Sequence, residues 1–221
     1  MNLPDNLLPP FWTWLANGAF VAIMAYVLYS RPWNAIRASE QSNVFMGACV
    51  ALMMLWSIKA GVSPGLTFHP LGVTVLTLMF GWRLAVIAAS VIVLGITLNG
   101  MGGWHAFGLN VLLTGVLPAV VSYAIYRVVD QRLPNNFFVY IFACAFLGAG
   151  FAVTVSAFGI VGVLVGSGAY PLERIAYEYL PFFPLVILPE ALLNGMVMTL
   201  LVGLRPQWVS TFDDNRYINN K

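Results

Sequence analysis

Long apolar runs broken by short polar stretches set the pattern of this chain. A bilayer core takes about 20 apolar residues as a helix. Runs of this kind occupy residues 11–30, 43–60, 84–99, 105–129, 136–166 and 179–204, with a shorter one at 70–82. The short run meets its successor at Gly81-Trp82-Arg83, so a partial span or a re-entrant piece is expected there. The run at 136–166 is long and rich in Gly and Ala, and a bend or break is expected near Gly159–Gly162. The pattern predicts an all-α fold, a polytopic helical membrane bundle of six to seven transmembrane helices. Residues 1–204 form one membrane-embedded domain, and 205–221 form a short polar tail.

Composition removes the soluble alternative. Hydrophobic residues make up 60% of the 221 and charged residues 8%, against about 25% charged in a soluble domain. A formal charge of +2 leaves no polycationic surface for nucleic acid. With seven spans and the N-terminus outside, the cytoplasmic side holds Arg31, Arg37, Arg83, Arg127, Arg132, Arg205, Arg216 and Lys221, and the outer side only Lys59 and Arg174. That is the positive-inside distribution, and it predicts a cytoplasmic C-terminus. Trp12, Trp14, Trp33, Trp82, Trp104 and Trp208 fall near span ends, where interfacial anchors belong. The outer face then gathers the N-terminus and the loops 60–70, 99–105 and 167–178. Cys49 and Cys144 lie inside apolar runs without metal-site spacing and read as packing residues. MNLPDNLLPP at the start has no Lys or Arg. It lacks the basic region of a secretory signal, so the mature chain is expected to keep its own N-terminus.

Three polar constellations stand out. In SPGLTFHPLG, His69 precedes Pro70 at a helix start. It is either an interfacial polar residue or a ligand facing an outer cavity, since neutral imidazole binds transition metals. LNGMGGWHAFGLN brings four glycines, His105, Asn99 and Asn110 together. It is either an ordinary turn or irregular backbone lining a wet cavity. ILPEALLNG puts Glu190 inside the last span. An intramembrane carboxylate marks a functional site by default, and the alternative is a structural partner for Asn194 one turn on. Small-residue spacing at Gly18/Ala22 and Gly148/Ala152 is compatible with close approach of another membrane helix. No P-loop occurs in the chain, so no ATP hydrolysis by that route is expected of it.

PDNLLPP after a two-residue start, PGLTFHPLG, GWRLAVIAASVIVLGITLNGMGGWHAFGLNVL and a late PEALLNG, in this order, resemble the CbiM/NikM family. These are the substrate-capturing membrane components of cobalt and nickel energy-coupling factor transporters. The resemblance covers about residues 1–200. It implies a site at the outer face in which the N-terminal amine, the amide and imidazole of a histidine at position 2, and a second histidine matching His69 bind Ni²⁺ or Co²⁺. Near-planar nitrogen ligation suits Ni²⁺. This chain departs from the pattern at Asn2, where the family has His, and at Asp5-Asn6-Leu7, where it has Asp-Gly-Phe.

The expected metal set is therefore Met1, Asn2 and His69, with His105 supplying the missing nitrogen if the 99–105 loop folds over the N-terminus. Asn99, Asn110 and Glu190 are expected to line or support the cavity. The resemblance implies a transport component rather than an enzyme. It implies no permanently bound cofactor, Ni²⁺ or Co²⁺ as cargo, and a transmembrane coupling subunit with cytoplasmic ATPases as partners, together with a small accessory membrane subunit. Loss of His at position 2 and the polar tail keep two alternatives open. One is a non-transporting accessory or assembly factor for a metalloenzyme or respiratory complex. The other is transport of a different small solute.

Overall fold

The computed structural model describes residues 2–36, 39–58, 60–214 and 216–217. Met1, Arg37, Lys59 and Lys221, to which the sequence gives a ligand role or a membrane side, lie outside the described residues. The chain is predominantly helical: α1 (Pro10–Tyr29), α2 (Ser39–Ser57), α3 (Val73–Phe80), α4 (Trp82–Leu98), α5 (Phe107–Arg132), α6 (Phe137–Gly166), α7 (Leu172–Glu178) and α8 (Pro184–Leu204). Four of these, α1, α5, α6 and α8, are long and apolar enough to cross a membrane. At 1.5 Å per residue, the eight residues of α3 reach only about 12 Å. The 70–82 run is thus a partial helix, separated from α4 by Gly81 at φ 82°, ψ 158°, a backbone region that essentially only glycine occupies.

The 60–70 stretch, expected as a loop, is a hairpin. β1 (Ala60–Ser63) pairs antiparallel with β2 (Leu66–Phe68). Its reversal is made by Pro64 followed by Gly65 at φ 80°, the residues a tight turn demands. The expected break near Gly159–Gly162 also does not occur: α6 runs unbroken from Phe137 to Gly166. Gly159 serves packing instead, since a Cβ there would meet Leu117 and Leu113 at 3.1 and 3.2 Å. The irregularities in the long helices lie elsewhere, as widened π-type turns at Leu112–Val116 in α5 and Tyr140–Leu147 in α6. The Leu113 carbonyl, inside the widened stretch of α5, accepts from Ser156 Oγ of α6.

α3 is buried on almost every side. Its terminal N–H and C=O groups cannot turn to water, so other elements must satisfy them. At its N-terminal end the Glu190 carboxylate accepts from the amides of Leu71 (2.7 Å) and Gly72 (2.8 Å), and Asn194 Oδ1 accepts from Val75 N (3.1 Å). At its C-terminal end the tail closes the helix. Ser210 N donates to Met79 O (2.9 Å), and Thr211 donates to Leu78 O through both N (3.3 Å) and Oγ1 (2.7 Å). The described part of the polar tail therefore folds back on the bundle, with Val209, Phe212 and Tyr217 buried and Arg216 paired to Asp130 at 2.6 Å. Cys49 and Cys144 are buried thiols.

The connections collect at two ends. At one end, residues 2–9 before α1, the hairpin, the loop 99–106 and the α7 region touch each other: Asp5 bonds the 104–105 backbone, Tyr170 OH donates to Pro64 O (3.0 Å), and Phe68 stacks on Tyr179 at 4.5 Å. The other end joins α2 to residues 205–208 and the tail to α5, through Gln41 to Gln207 O (2.8 Å) and Arg216 to Asp130.

Candidate substrate-capture site

Residues 2–9 run as a strap across the first of these ends. Leu3, with no exposed surface, anchors it. The Leu3 amide donates to Asn110 Oδ1 (2.8 Å), and its carbonyl accepts from Asn110 Nδ2 (3.0 Å) and Gly103 N (3.2 Å). Asn110, buried within α5, thus pairs with both the N–H and the C=O of one strap residue, as a neighbouring β-strand would. Two residues on, the Asp5 carboxylate accepts from Trp104 N (3.0 Å) and His105 N (2.8 Å). Asn17 of α1 holds the same loop from its other side, donating to His105 O (3.0 Å) and accepting from Gly108 N (2.8 Å). The glycine-rich 99–105 loop does fold over the N-terminal segment. Gly103 is needed for that approach: a Cβ there would stand 2.5 Å from Asp5 N and 2.8 Å from Pro4 C, distances at which backbone must move.

Gly103→Ala is accordingly expected to lift the strap. Overpacking of this kind costs about 1–3 kcal/mol. It should show as a lower melting temperature together with proteolytic cleavage within residues 2–9; an unchanged cleavage pattern would mean that the contact yields without displacing the strap.

Asn2 is 6% exposed, and neither its Oδ1 nor its Nδ2 has a hydrogen-bond partner among the described residues. A buried polar group left unpaired costs about 1–3 kcal/mol. Asn2 lines a cavity of about 240 Å³ with Asp5 of the strap, Thr67 of the hairpin and the glycines of 100–103. The hairpin tip closes one wall, where the place of a Gly65 Cβ is taken by Leu3 and Leu7. The chemistry on offer is an amide oxygen and a carboxylate edge, a harder donor set than the imidazole that the family pattern has at position 2.

His69 follows β2 directly and is 2% exposed. Its ring packs on Trp56 at 4.7 Å and lines a second cavity of about 290 Å³ with Phe68, Pro70, Leu185 and Pro189. His105 is exposed and lines a third cavity beside Pro10 and Trp14. Among the described residues no three side chains of His, Cys, Asp or Glu gather into a cation-holding group. Asn99 is an exposed C-cap of α4 and does not line the Asn2 cavity. Asn110 holds the strap, and Glu190 and Asn194 hold α3. Glu190 does bond Asn194 (2.9 Å) as the helical spacing suggests, but its two backbone amides come from residues 118 and 119 positions away. Asn17 and Trp56 were not singled out in the sequence; each is a polar-tipped side chain inside an apolar helix, the one signal available for them. A larger cavity of about 660 Å³ between α2, α3 and α8 carries no ionisable side chain and lies apart from the strap.

A helical bundle with four helices long and apolar enough to cross a membrane, and an N-terminal strap pinned over a polar cavity at one end, has the build of a membrane component. The chain belongs to the CbiM family: residues 2–208 match the family model described as the cobalt uptake substrate-specific transmembrane region. It is 26% identical over 207 residues to a putative cobalt transport protein CbiM 1 of Methanosarcina barkeri, covering 91% of this chain and 87% of the relative. It is 25% identical to the cobalt transport protein CbiM of Salmonella typhimurium, over 91% of this chain and 82% of that one. Its fold superposes on the crystal structure of a transition metal transporter with a TM-score of 0.73, at 20% identity, over 92% of this chain and 93% of the other. A truncated transition metal transporter gives a TM-score of 0.71 at 17% identity, over 92% and 99%.

Proposed function

We propose that this chain is the membrane component of an energy-coupling factor transporter and captures Co²⁺ or Ni²⁺ at the outer face for uptake. The observation that carries this reading is Asn2: a nearly buried amide with both polar atoms unpaired, facing a polar cavity at the start of the chain. The N-terminal amine of Met1, the Asn2 amide and carbonyl oxygen, and the His69 imidazole are the ligands proposed; His105, which lines a separate cavity, is the alternative that substitution of each histidine decides for or against. Asn110 and Glu190 support the site by fixing the strap and the residues after His69. The two gathered ends of the bundle fit a membrane orientation with the strap outside and the tail cytoplasmic, in a bacterial inner membrane. The cation is cargo, and the chain performs transport rather than catalysis. A coupling subunit, cytoplasmic ATPases and a small accessory membrane subunit would supply the energy-coupled step, since the sequence carries no P-loop.

The test is calorimetric titration of Co²⁺ and of Ni²⁺ into the purified chain in detergent. Saturable binding of one equivalent of at least one of these cations is expected. Absence of binding by a folded preparation would overturn the reading.

A further inference from the structure

Glu190 reaches His69 through three contacts, none of them to the cavity itself. Its carboxylate accepts from the amides of Leu71 and Gly72 at 2.7 and 2.8 Å, fixing the peptides that follow His69-Pro70. The Leu71 carbonyl accepts from Trp56 Nε1 at 2.9 Å. The Trp56 ring, with no exposed surface, lies against the His69 ring at a centroid distance of 4.7 Å and a tilt of 41°. The carboxylate is itself fixed from its own helix by Asn194 Nδ2 at 2.9 Å. Pro189, the residue before it, lines the His69 cavity. Each link is a directional hydrogen bond or a ring face, so a shift of the carboxylate passes to the imidazole without passing through bulk packing.

We propose that Glu190 is a positioning residue for the His69 imidazole, acting through the Leu71 peptide and the Trp56 indole. This rests on the reading of His69 as a cargo ligand only for its consequence in transport; the positioning itself is a property of the metal-free protein. Groups that orient a metal ligand from behind change affinity by about 10–100-fold when removed. A carboxylate is required because two converging N–H donors need two acceptor oxygens. In Glu190→Gln the new NH₂ faces one of those amides.

The chain has two histidines, so ¹⁵N-labelled imidazoles give two ring systems, with His105 as internal reference. In Glu190→Gln, and in Trp56→Phe, which keeps a ring and loses the N–H, the His69 ring resonances of the metal-free protein are expected to shift or broaden while those of His105 stay in place. Co²⁺ affinity should fall about 10–100-fold in Glu190→Gln. Tyr140→Phe is the control for general loosening. It removes the hydroxyl contact to Thr211 at the opposite end of α3 (2.7 Å), and should leave the His69 resonances unchanged. His69 resonances unmoved by Glu190→Gln would overturn the proposal, as would an equal movement in Tyr140→Phe. Resonances that move while Co²⁺ affinity holds would uphold the positioning and overturn His69 as a cargo ligand. Should Glu190→Gln fail to fold, Glu190→Asp, which keeps both acceptor oxygens and draws them back by one methylene, carries the same test.

Discussion

Adding a single glycine ahead of Met1 is expected to weaken Co²⁺ or Ni²⁺ binding at least about 100-fold, close to 3 kcal/mol, with little change in melting temperature. The reasoning starts at Leu3. Both its polar backbone groups are taken by Asn110, its carbonyl is shared with Gly103, and its side chain is fully buried. Asn2, one residue back, is only 6% exposed. The register of the strap is therefore fixed, and an added residue cannot be absorbed by sliding. It would move the free amine one residue further from the fixed Asn2–Leu3 segment. It also turns the Met1 amine into an amide, which is a poor donor. A free α-amino group titrates near pH 8, about two units below a lysine, so it can shed its proton for a metal close to neutral pH. Binding then releases a proton, and affinity should rise with pH through that range. Calorimetry on the native and extended chains in two buffers of different ionisation enthalpy reads both effects. Equal affinity in the two chains would remove the amine from the site.

That expectation could be framed from sequence because the strap motif, the glycine-rich loop and His69 are local patterns. The membrane class was equally legible: apolar runs of span length and an 8% charged fraction leave no soluble alternative. The partial helix at 70–82 was visible in its length and in Gly81. The hairpin was missed because the membrane pattern dominates residues 43–82, and a strand of three or four residues carries almost no periodicity of its own. Its turn signal, Pro64-Gly65, was present. Gly159 was misread for a different reason. A glycine in an apolar helix marks either a break or a close contact, and only the facing helix, here Leu113 and Leu117 of α5, decides which. Long-range satisfaction of buried backbone was illegible altogether. Nothing near residues 71–75 announces that their amides are met by Glu190 and Asn194, nor that the tail residues Ser210 and Thr211 close the other end of the same helix. The need could be stated in advance, since a short buried helix must have both ends capped. The partners could not.

Separating the two histidines gives the second large effect. His69→Ala is expected to lower cation affinity at least about 100-fold, and His105→Ala to leave it within about threefold. Both lie near the strap in the chain's folding pattern, but their surroundings differ. The His69 imidazole is 2% exposed, held against Trp56, and follows without an intervening residue on the strand whose Thr67 walls the Asn2 cavity. A pre-set ring gives up little side-chain entropy on binding, and so most of its interaction with a cation appears as affinity. His105 is solvent-exposed and lines a cavity with Pro10, Thr13 and Trp14, and its backbone is what Asp5 and Asn17 grip. To reach the Asn2 cavity the ring would have to leave those surroundings while that backbone stays pinned. The substitution at position 2 sharpens the contrast. With Asn2 in place of an imidazole, His69 is the one buried imidazole among the described residues, and a bound cation would depend on it more heavily. A double variant tests the dependence: Asn2→His restores an imidazole at position 2 and should recover part of the affinity lost in His69→Ala, read by the same titration. If instead His105→Ala abolishes binding and His69→Ala does not, the site lies over the 104–105 turn and the assignment of His69 is wrong.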